Sequence, residues 1–409
     1  MGSYYGRKVG VVSEHGDAYW LYPGGNITLI EALPATVMLQ VSGDIAAAVT
    51  TTGDVYVSGH NSSGMLGIGA PRNTDEYRWT HVPRELLGGI AVVQVALGRV
   101  HSVVLGADGG VFTTGCASSG RLGHGDQVHR TVFTRVAALA SEKVVMVAAG
   151  DNASAMVGEG GGVFVCGHNS NGELGTGDRV MRLTPERIKD FSTAKTVHVS
   201  MRLACVAVQT DDTMYVWGHG GYGQLGLGDL EDRVQPQRIC CGRDDEVLGP
   251  IVSAVCGVKN TLALTKTGAV WWCGATNNRN KQTVCEFVRV ERMPPAVQVV
   301  AGRGTDAGFV SAAGELYAWS DLHVGGPPRM RWKLRVRVGI YNHRFARRRE
   351  VAFAMLAHAR LGAESAFGSL PSELVRRVLD TGVSWPSGPL GERDGLARLL
   401  GGAHGHVTS

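Results

Sequence analysis

The chain has fourteen histidines, eight cysteines and 36 acidic residues, enough for a catalytic or metal centre if any are spaced to act together. Zinc sites draw on Cys and His ligands that usually pair at short spacing. No C-x-x-C pair occurs, and only His404 and His406 share an H-x-H spacing, in a Gly-rich tail with no third ligand beside them. Hard cations want several oxygens, whereas Asp126, Asp178 and Asp229 each stand singly after a glycine. An Asp so placed bonds its own backbone and sets a turn. Phosphate chemistry finds no G-K-[ST] motif, and hydrolysis finds neither H-E-x-x-H nor G-x-S-x-G. Gly218-His219-Gly220-Gly221-Tyr222-Gly223 matches G-x-G-x-x-G, but that pattern holds a dinucleotide only where it opens a helix. Here strand-like runs flank it. No catalytic, cofactor-binding or metal-binding residue is assigned, and an enzyme is not expected.

The strongest electrostatic feature is basic: Arg329, Arg331, Lys333, Arg335 and Arg337, then Arg344 and the run Arg347, Arg348 and Arg349. Clustered Arg neutralises phosphate and also serves nuclear import. Strict alternation with Trp332, Leu334, Val336 and Val338 supplies another origin for the first part, a strand with its basic side outward. Arg347 to Arg349 has no such pattern and is the better targeting candidate. The net charge of +4 implies no global attraction to nucleic acid.

The elements that must carry these residues repeat. Gly59 to Gly69, Gly115 to Gly125, Gly167 to Gly177 and Gly218 to Gly228 align without gaps as G-x-x-x-x-G-x-L-G-x-G. Each follows an alternating apolar run such as Val163-Phe164-Val165. A Gly/Asp turn and a second apolar run precede that. Period-two apolar runs broken by such turns are antiparallel strands. Several glycines in eleven residues permit a compact reversal. The apolar residue common to the four copies (Leu66, Leu122, Leu174, Leu225) is expected to plug that reversal between neighbouring sheets. Degenerate copies end at Gly274 and Trp319 and begin near Gly16, giving about seven copies of roughly fifty residues.

An all-β repeat of this period predicts a seven-bladed β-propeller over residues 1–345, closed by its N- and C-terminal strands. The first copy starts midway, at Val9-Gly10-Val11-Val12, so residues near 332–340 are expected to pair beside residues 9–12. Composition agrees: 58 glycines without a collagen period, 44% hydrophobic residues and no apolar run long enough to span a bilayer. The cysteine spacing suggests no disulfide framework. The opening residues lack a signal-peptide core, so cytoplasm or nucleus is expected and no membrane partner.

The stretch Val92 to Gly123 carries, in order, Val95-Ala96, Gly98, His101-Ser102, Leu105, Asp108-Gly109 and Gly115 to Gly123. In this it resembles the regulator-of-chromosome-condensation repeat proteins, whose hallmark is V-x-x-V-A-x-G-x-x-H-S-x-x-L followed by a D-G strand and N-x-x-G-Q-L-G-x-G. Met214 to Asp229 resembles the second half. The likeness covers about residues 7–345 and implies a seven-bladed propeller. It implies less about activity, because the family includes an exchange factor for the small GTPase Ran, ubiquitin-ligase subunits and plain scaffolds. No wedge-like insertion of the exchange-factor kind stands out. Only His101 keeps the motif His, where Ala153, Ala204 and Asn260 stand in other copies.

Beyond the propeller the period changes. Residues 346–380 read as a short helical segment, with Val351, Met355, Leu356 and Ala359 at helical spacing. Leu370-Pro371-Ser372-Glu373-Leu374 resembles the opening of an F-box, which docks ubiquitin-ligase adaptors. Residues 381–409 read as a flexible Gly-rich tail. The expected function is a protein-interaction scaffold, with substrate recruitment for a ubiquitin ligase as one form of it. Exchange on a Ran-like GTPase and nucleic-acid binding through the basic segment are the alternatives. Candidate partner-binding residues are Tyr77, Trp79, Arg347, Arg348, Arg349, Leu370, Pro371, Glu373 and Leu374. Gly59, Leu66, Gly115, Leu122, Gly167, Leu174, Gly218, Leu225 and Gly274 carry the repeat.

Overall fold

The apolar runs of the repeat are strands. In a representative copy Val92–Leu97, His101–Gly106, Val111–Gly115 and Arg130–Arg135 pair antiparallel, each with the next. The second of these is buried along its whole length, which explains its continuous apolar character: both of its faces are covered. The computed structural model divides into residues 1–344 and 345–409. It describes residues 9–12, 16–21, 27–70, 75–189, 196–209, 212–275, 283–301, 307–312, 316–319 and 332–334. The expected helical segment and tail lie outside them. Among the described residues the only helical pieces are four short 3-10 turns.

Among the described residues, seven antiparallel sheets follow one another along the chain. The first has three strands, Val9–Val12, Ala18–Leu21 and Ile27–Leu29. Six four-stranded sheets then occupy residues 36–82, 92–135, 144–187, 196–239, 251–289 and 296–334. Six hydrophobic clusters join them in succession, each shared by two consecutive sheets. Trp20 and Ala46 meet between the first two sheets. Leu66 lies with Val95 and Phe133 between the second and third. Leu174 lies with Val199 and Trp217 between the fourth and fifth, and Leu225 with Trp271 and Phe287 between the fifth and sixth. Full burial of each such Leu stabilises by about 1.5–3 kcal/mol. Gln94 stitches the third sheet to the fourth: its Nε2 donates to Val147 O at 2.8 Å and its Oε1 accepts from Val147 N at 3.1 Å. Sheets packed face to face in chain order make a β-propeller.

The glycine that ends each third strand is required by geometry. Gly59, Gly115, Gly167, Gly218 and Gly274 take φ between +95° and +122°. A Cβ there would stand only 1.9 to 3.0 Å from the carbonyl oxygens of Asp44, Val100, Asn152, Leu203 and Lys259 respectively. Each of those carbonyls accepts the N–H that follows the glycine, at 2.8 to 3.2 Å. The chain can close this bond only where no side chain intervenes.

One expectation is corrected. Trp332–Leu334 pairs with residues Leu316 to Ala318 and completes its own sheet as the fourth strand, so it is not the partner of Val9–Val12. Local pairing closes a shorter loop at lower entropic cost. Residues 335–340 lie outside the described residues. Tyr77 and Trp79 lie in a strand, Glu76–Val82, which a 3-10 turn over Arg84–Leu87 follows.

Candidate protein-binding face

The register brings two sets of loops to one edge of five successive sheets. Ile45, His101, Ala153, Ala204 and Asn260, which begin the second strands, pair with Gly59, Gly115, Gly167, Gly218 and Gly274, which end the third. The short turn before each second strand and the long loop after each third strand therefore leave together. Along successive sheets they form one face.

The short turns converge and are charged. Arg202 Nη1 lies 3.5 Å from Asp151 Oδ1, with both side chains largely buried, and also 3.5 Å from Ser42 Oγ, three sheets back along the chain. Ser42 Oγ donates to Gly98 O at 2.9 Å, and Arg121 Nη1 donates to Asp151 O at 3.4 Å. Turns from four consecutive sheets are thus tied together. Arg99 stands exposed beside them, and Lys259 Nζ sits 4.8 Å above the ring of Tyr222.

His101 supports this edge. It is fully buried, and its Nε2 lies 2.9 Å from Ser154 Oγ. Ser154 donates its single hydroxyl hydrogen to Arg121 O at 2.8 Å, so His101 carries its proton on Nε2 and donates to Ser154. Burial, then the guanidinium groups of Arg121 and Arg202, push its pKa down to about 3. A neutral, enclosed imidazole is a fixed hydrogen-bond donor, not an acid or base for a bound molecule.

The long loops repeat one device three times. Asp126, Asp178 and Asp229 each accept the N–H two residues on, from Val128, Val180 and Glu231, all at 2.9 Å. Each also pairs with the Arg four residues on: Arg130, Arg182 and Arg233. The Arg hydrogen bond comes first among the causes that hold all three carboxyls below the usual carboxylate range. These carboxylates are committed to turn and clamp. What the clamped turns present is apolar: Val128 is 64% exposed, Val180 61%, Met181 48% and Leu230 50%. Charges surround them, with Arg179 reaching Asp232 at 3.0 Å from the fourth sheet to the fifth.

The residues singled out from sequence fall differently. Tyr77 is exposed and its hydroxyl donates to Asp75 Oδ2 at 3.2 Å. Trp79 stacks on Trp20 with ring centroids 6.2 Å apart and packs against the cluster between the first two sheets, so it holds sheets together. Arg347, Arg348, Arg349, Leu370, Pro371, Glu373 and Leu374 lie outside the described residues. Sequence reasoning passed over Val128, Val180, Met181 and Leu230. The signal was available as an apolar residue one to three places after each turn Asp, where a polar one is usual.

Comparison with known proteins identifies the repeat. Residues 52–105, 108–157, 160–201 and 211–264 match the model of the Regulator of chromosome condensation (RCC1) repeat. Four segments of the chain, within residues 52–264, are thus similar to this repeat. The E3 ubiquitin-protein ligase HERC2 of Homo sapiens is 30% identical over 311 residues, covering 71% of this chain and 6% of HERC2. The ultraviolet-B receptor UVR8 of Arabidopsis thaliana is 31% identical over 236 residues, 57% of this chain and 51% of UVR8. The chain therefore spans only part of either relative. Two crystal structures, Kap60 bound to yeast RCC1 (Prp20) and human WBSCR16, each align with TM-score 0.62 and 21% identity. They cover 72% and 78% of this chain, and 73% and 87% of theirs. At that identity they speak for the fold alone, a β-propeller. None of these likenesses supports an F-box-like segment. The four matched repeats include the three Asp–Arg clamps that contribute side chains to the face described above.

Proposed function

We propose that this chain is a non-enzymatic scaffold that binds protein partners through the face built by the short turns and the long clamped loops. The observation that carries this is the recurrence of exposed Val128, Val180, Met181 and Leu230 on equivalent turns of three successive sheets. Each turn is fixed by its Asp–Arg pair, so the apolar groups are held in place at little entropic cost on binding. Large exposed apolar side chains set among charges suit a protein surface. The relatives give context: HERC2 is an E3 ubiquitin-protein ligase, UVR8 a receptor, and yeast RCC1 was crystallised with Kap60. Recruiting a substrate to a ubiquitin ligase is one form such a scaffold takes. Ring closure belongs to the same proposal, with residues 335–340 supplying the strand that the first sheet lacks.

Comparing partners recovered by the unaltered chain and by a variant carrying V128D, V180D and L230D tests the reading; partners indifferent to the substitutions contradict it. The second reading, exchange on a small GTPase, rests on likeness of fold to Prp20p of Saccharomyces cerevisiae, whose structure was reported with its binding to Gsp1p and histones. Accelerated release of labelled GDP from a panel of small GTPases would favour it. Nucleic-acid binding, the third, requires salt-sensitive affinity that disappears when Arg347, Arg348 and Arg349 are neutralised.

A further inference from the structure

Adjacent Cys240 and Cys241 follow the outer strand Arg233–Ile239 of the fifth sheet, and their Sγ atoms lie 3.1 Å apart. Cys240 is exposed and Cys241 half-buried. Their backbone is pinned on both sides. Leu248 N donates to Cys240 O at 3.2 Å, Cys241 bridges to Val247, and Gly242 N donates to Glu246 O at 2.8 Å. Gly242 is pressed so tightly onto the sixth sheet that a Cβ would stand 2.1 Å from Phe287 O. The two thiols are therefore held side by side at the surface.

The other described thiols differ. Cys166, Cys256 and Cys273 are buried, and burial pushes the thiols of Cys166 and Cys256 up to about 12 and that of Cys273 well above its ordinary value. Thiols of that kind are inert, because the thiolate is the nucleophile. Cys116 and Cys285 are half-buried, and neither has a neighbouring cysteine in the chain.

We propose that Cys240 and Cys241 are a reversible redox modification site, a vicinal dithiol that a small disulfide such as oxidised glutathione converts into a ring disulfide. The hydrogen bond to Cys240, then desolvation and the charges of Cys240 and Asp245, hold Cys241 protonated above the ordinary thiol range. Exposed Cys240 is therefore the first to react. Its thiolate attacks one sulfur of the glutathione disulfide, breaks that S–S bond and expels one glutathione thiolate. Cys241, on losing its proton, attacks the Cys240 sulfur of the mixed disulfide and expels the second. The two departing thiolates take up the two protons, so the dithiol is oxidised by two electrons and one glutathione disulfide becomes two glutathiones. Adjacent Cα atoms are about 3.8 Å apart, shorter than the usual disulfide range of about 4.4–6.8 Å. The product is strained, and strained disulfides are the easily reduced ones.

The test equilibrates the folded, full chain in oxidised and reduced glutathione mixtures, blocks free thiols by alkylation, and maps each cysteine by mass spectrometry. The peptide holding Cys240 and Cys241 should lose the mass of two hydrogens. It should be oxidised at least about tenfold more than Cys116 or Cys285, and recover in excess reductant. In C241S, Cys240 should stop at the mixed disulfide with glutathione. Glutathione retained on Cys240 of the unaltered chain without ring closure would overturn the proposal. So would oxidation of the pair no greater than that of Cys116 and Cys285. A trivalent arsenical that bridges paired thiols supplies a check needing no substitution: it should protect both cysteines from alkylation, and failure to protect them contradicts the pairing.

Discussion

Replacing Gly115 by Ala isolates the repeat's central constraint. Gly115 has φ +109°, and an added Cβ would lie 2.6 Å from Val100 O and 2.8 Å from His101 Cα. Holding a non-glycine residue in such a region costs about 1–3 kcal/mol. Moving away from the carbonyl breaks the Cys116 N to Val100 O bond of 2.9 Å and leaves polar groups unpaired, at about 1–3 kcal/mol more. Together G115A should lose about 2–6 kcal/mol. Two other glycines separate the causes. Gly89 has φ +76° with nothing within 4 Å of an added Cβ, so G89A should cost about 1–2 kcal/mol from backbone conformation alone. Gly160 is exposed, has open space and no left-handed φ, so G160A should be neutral or stabilise by about 0.4–1 kcal/mol. Urea unfolding followed by circular dichroism ranks the three. Hydrogen exchange at residues 101 to 116 then tests whether G115A loosens its own sheet first. If G115A matches G160A, the carbonyl clash does not explain the repeated glycine.

Three further outcomes follow from the packing. Leu174→Ala empties a fully buried site between the fourth and fifth sheets and should lose about 2–5 kcal/mol in the same urea assay. A loss under about 1 kcal/mol would mean the neighbouring sheets collapse onto the space. His101 has a folded pKa of about 3 against roughly 6.5 unfolded. Its contribution is thus whole above pH 6.5, and shrinks as pH falls toward 3, while only the unfolded chain takes the proton. From pH 6.5 to 5 the unaltered chain should lose about 2 kcal/mol more than H101N; equal slopes would mean that His101 protonates without unfolding. Finally, a chain ending at residue 334 should melt several degrees below one ending at 344 if the following residues complete the first sheet. Equal melting temperatures contradict ring closure by that segment.

Much of the architecture was legible because its causes are local. Glycine at the end of the third strands and Asp at three of the turns serve short-range geometry, and Leu66, Leu174 and Leu225 of the reversals meet the adjacent sheet of the series, so all recur at fixed spacing. The placement of Trp332–Leu334 was less legible: its alternation marked a strand, but alternation does not say which neighbour the strand pairs with. Tyr77 and Trp79 looked alike as aromatic anchors, yet Trp79 is consumed by stacking on Trp20, a contact between residues almost sixty positions apart. The face itself was hidden for the opposite reason. Val128, Val180 and Leu230 seem ordinary apolar residues until the clamped turns turn them outward. Arg202 and Ser42, far apart in the chain, meet only because successive sheets curve toward one another.

Binding of a recovered partner, quantified by calorimetry, is the most direct test of the proposed face. Three proteins would be compared: the unaltered chain, the V128D/V180D/L230D variant, and E159K, whose substitution lies in a turn at the opposite sheet edge. Melting temperatures should agree within a few degrees among the three, since each altered side chain is exposed and the Lys143–Glu159 pair that E159K removes lies at the surface, where such a pair contributes about 0–1 kcal/mol. Affinity should fall by at least about a hundredfold in the triple variant, the loss of about 2.7 kcal/mol, and stay unchanged in E159K. Undiminished affinity in the triple variant, or loss confined to E159K, would place the interaction elsewhere.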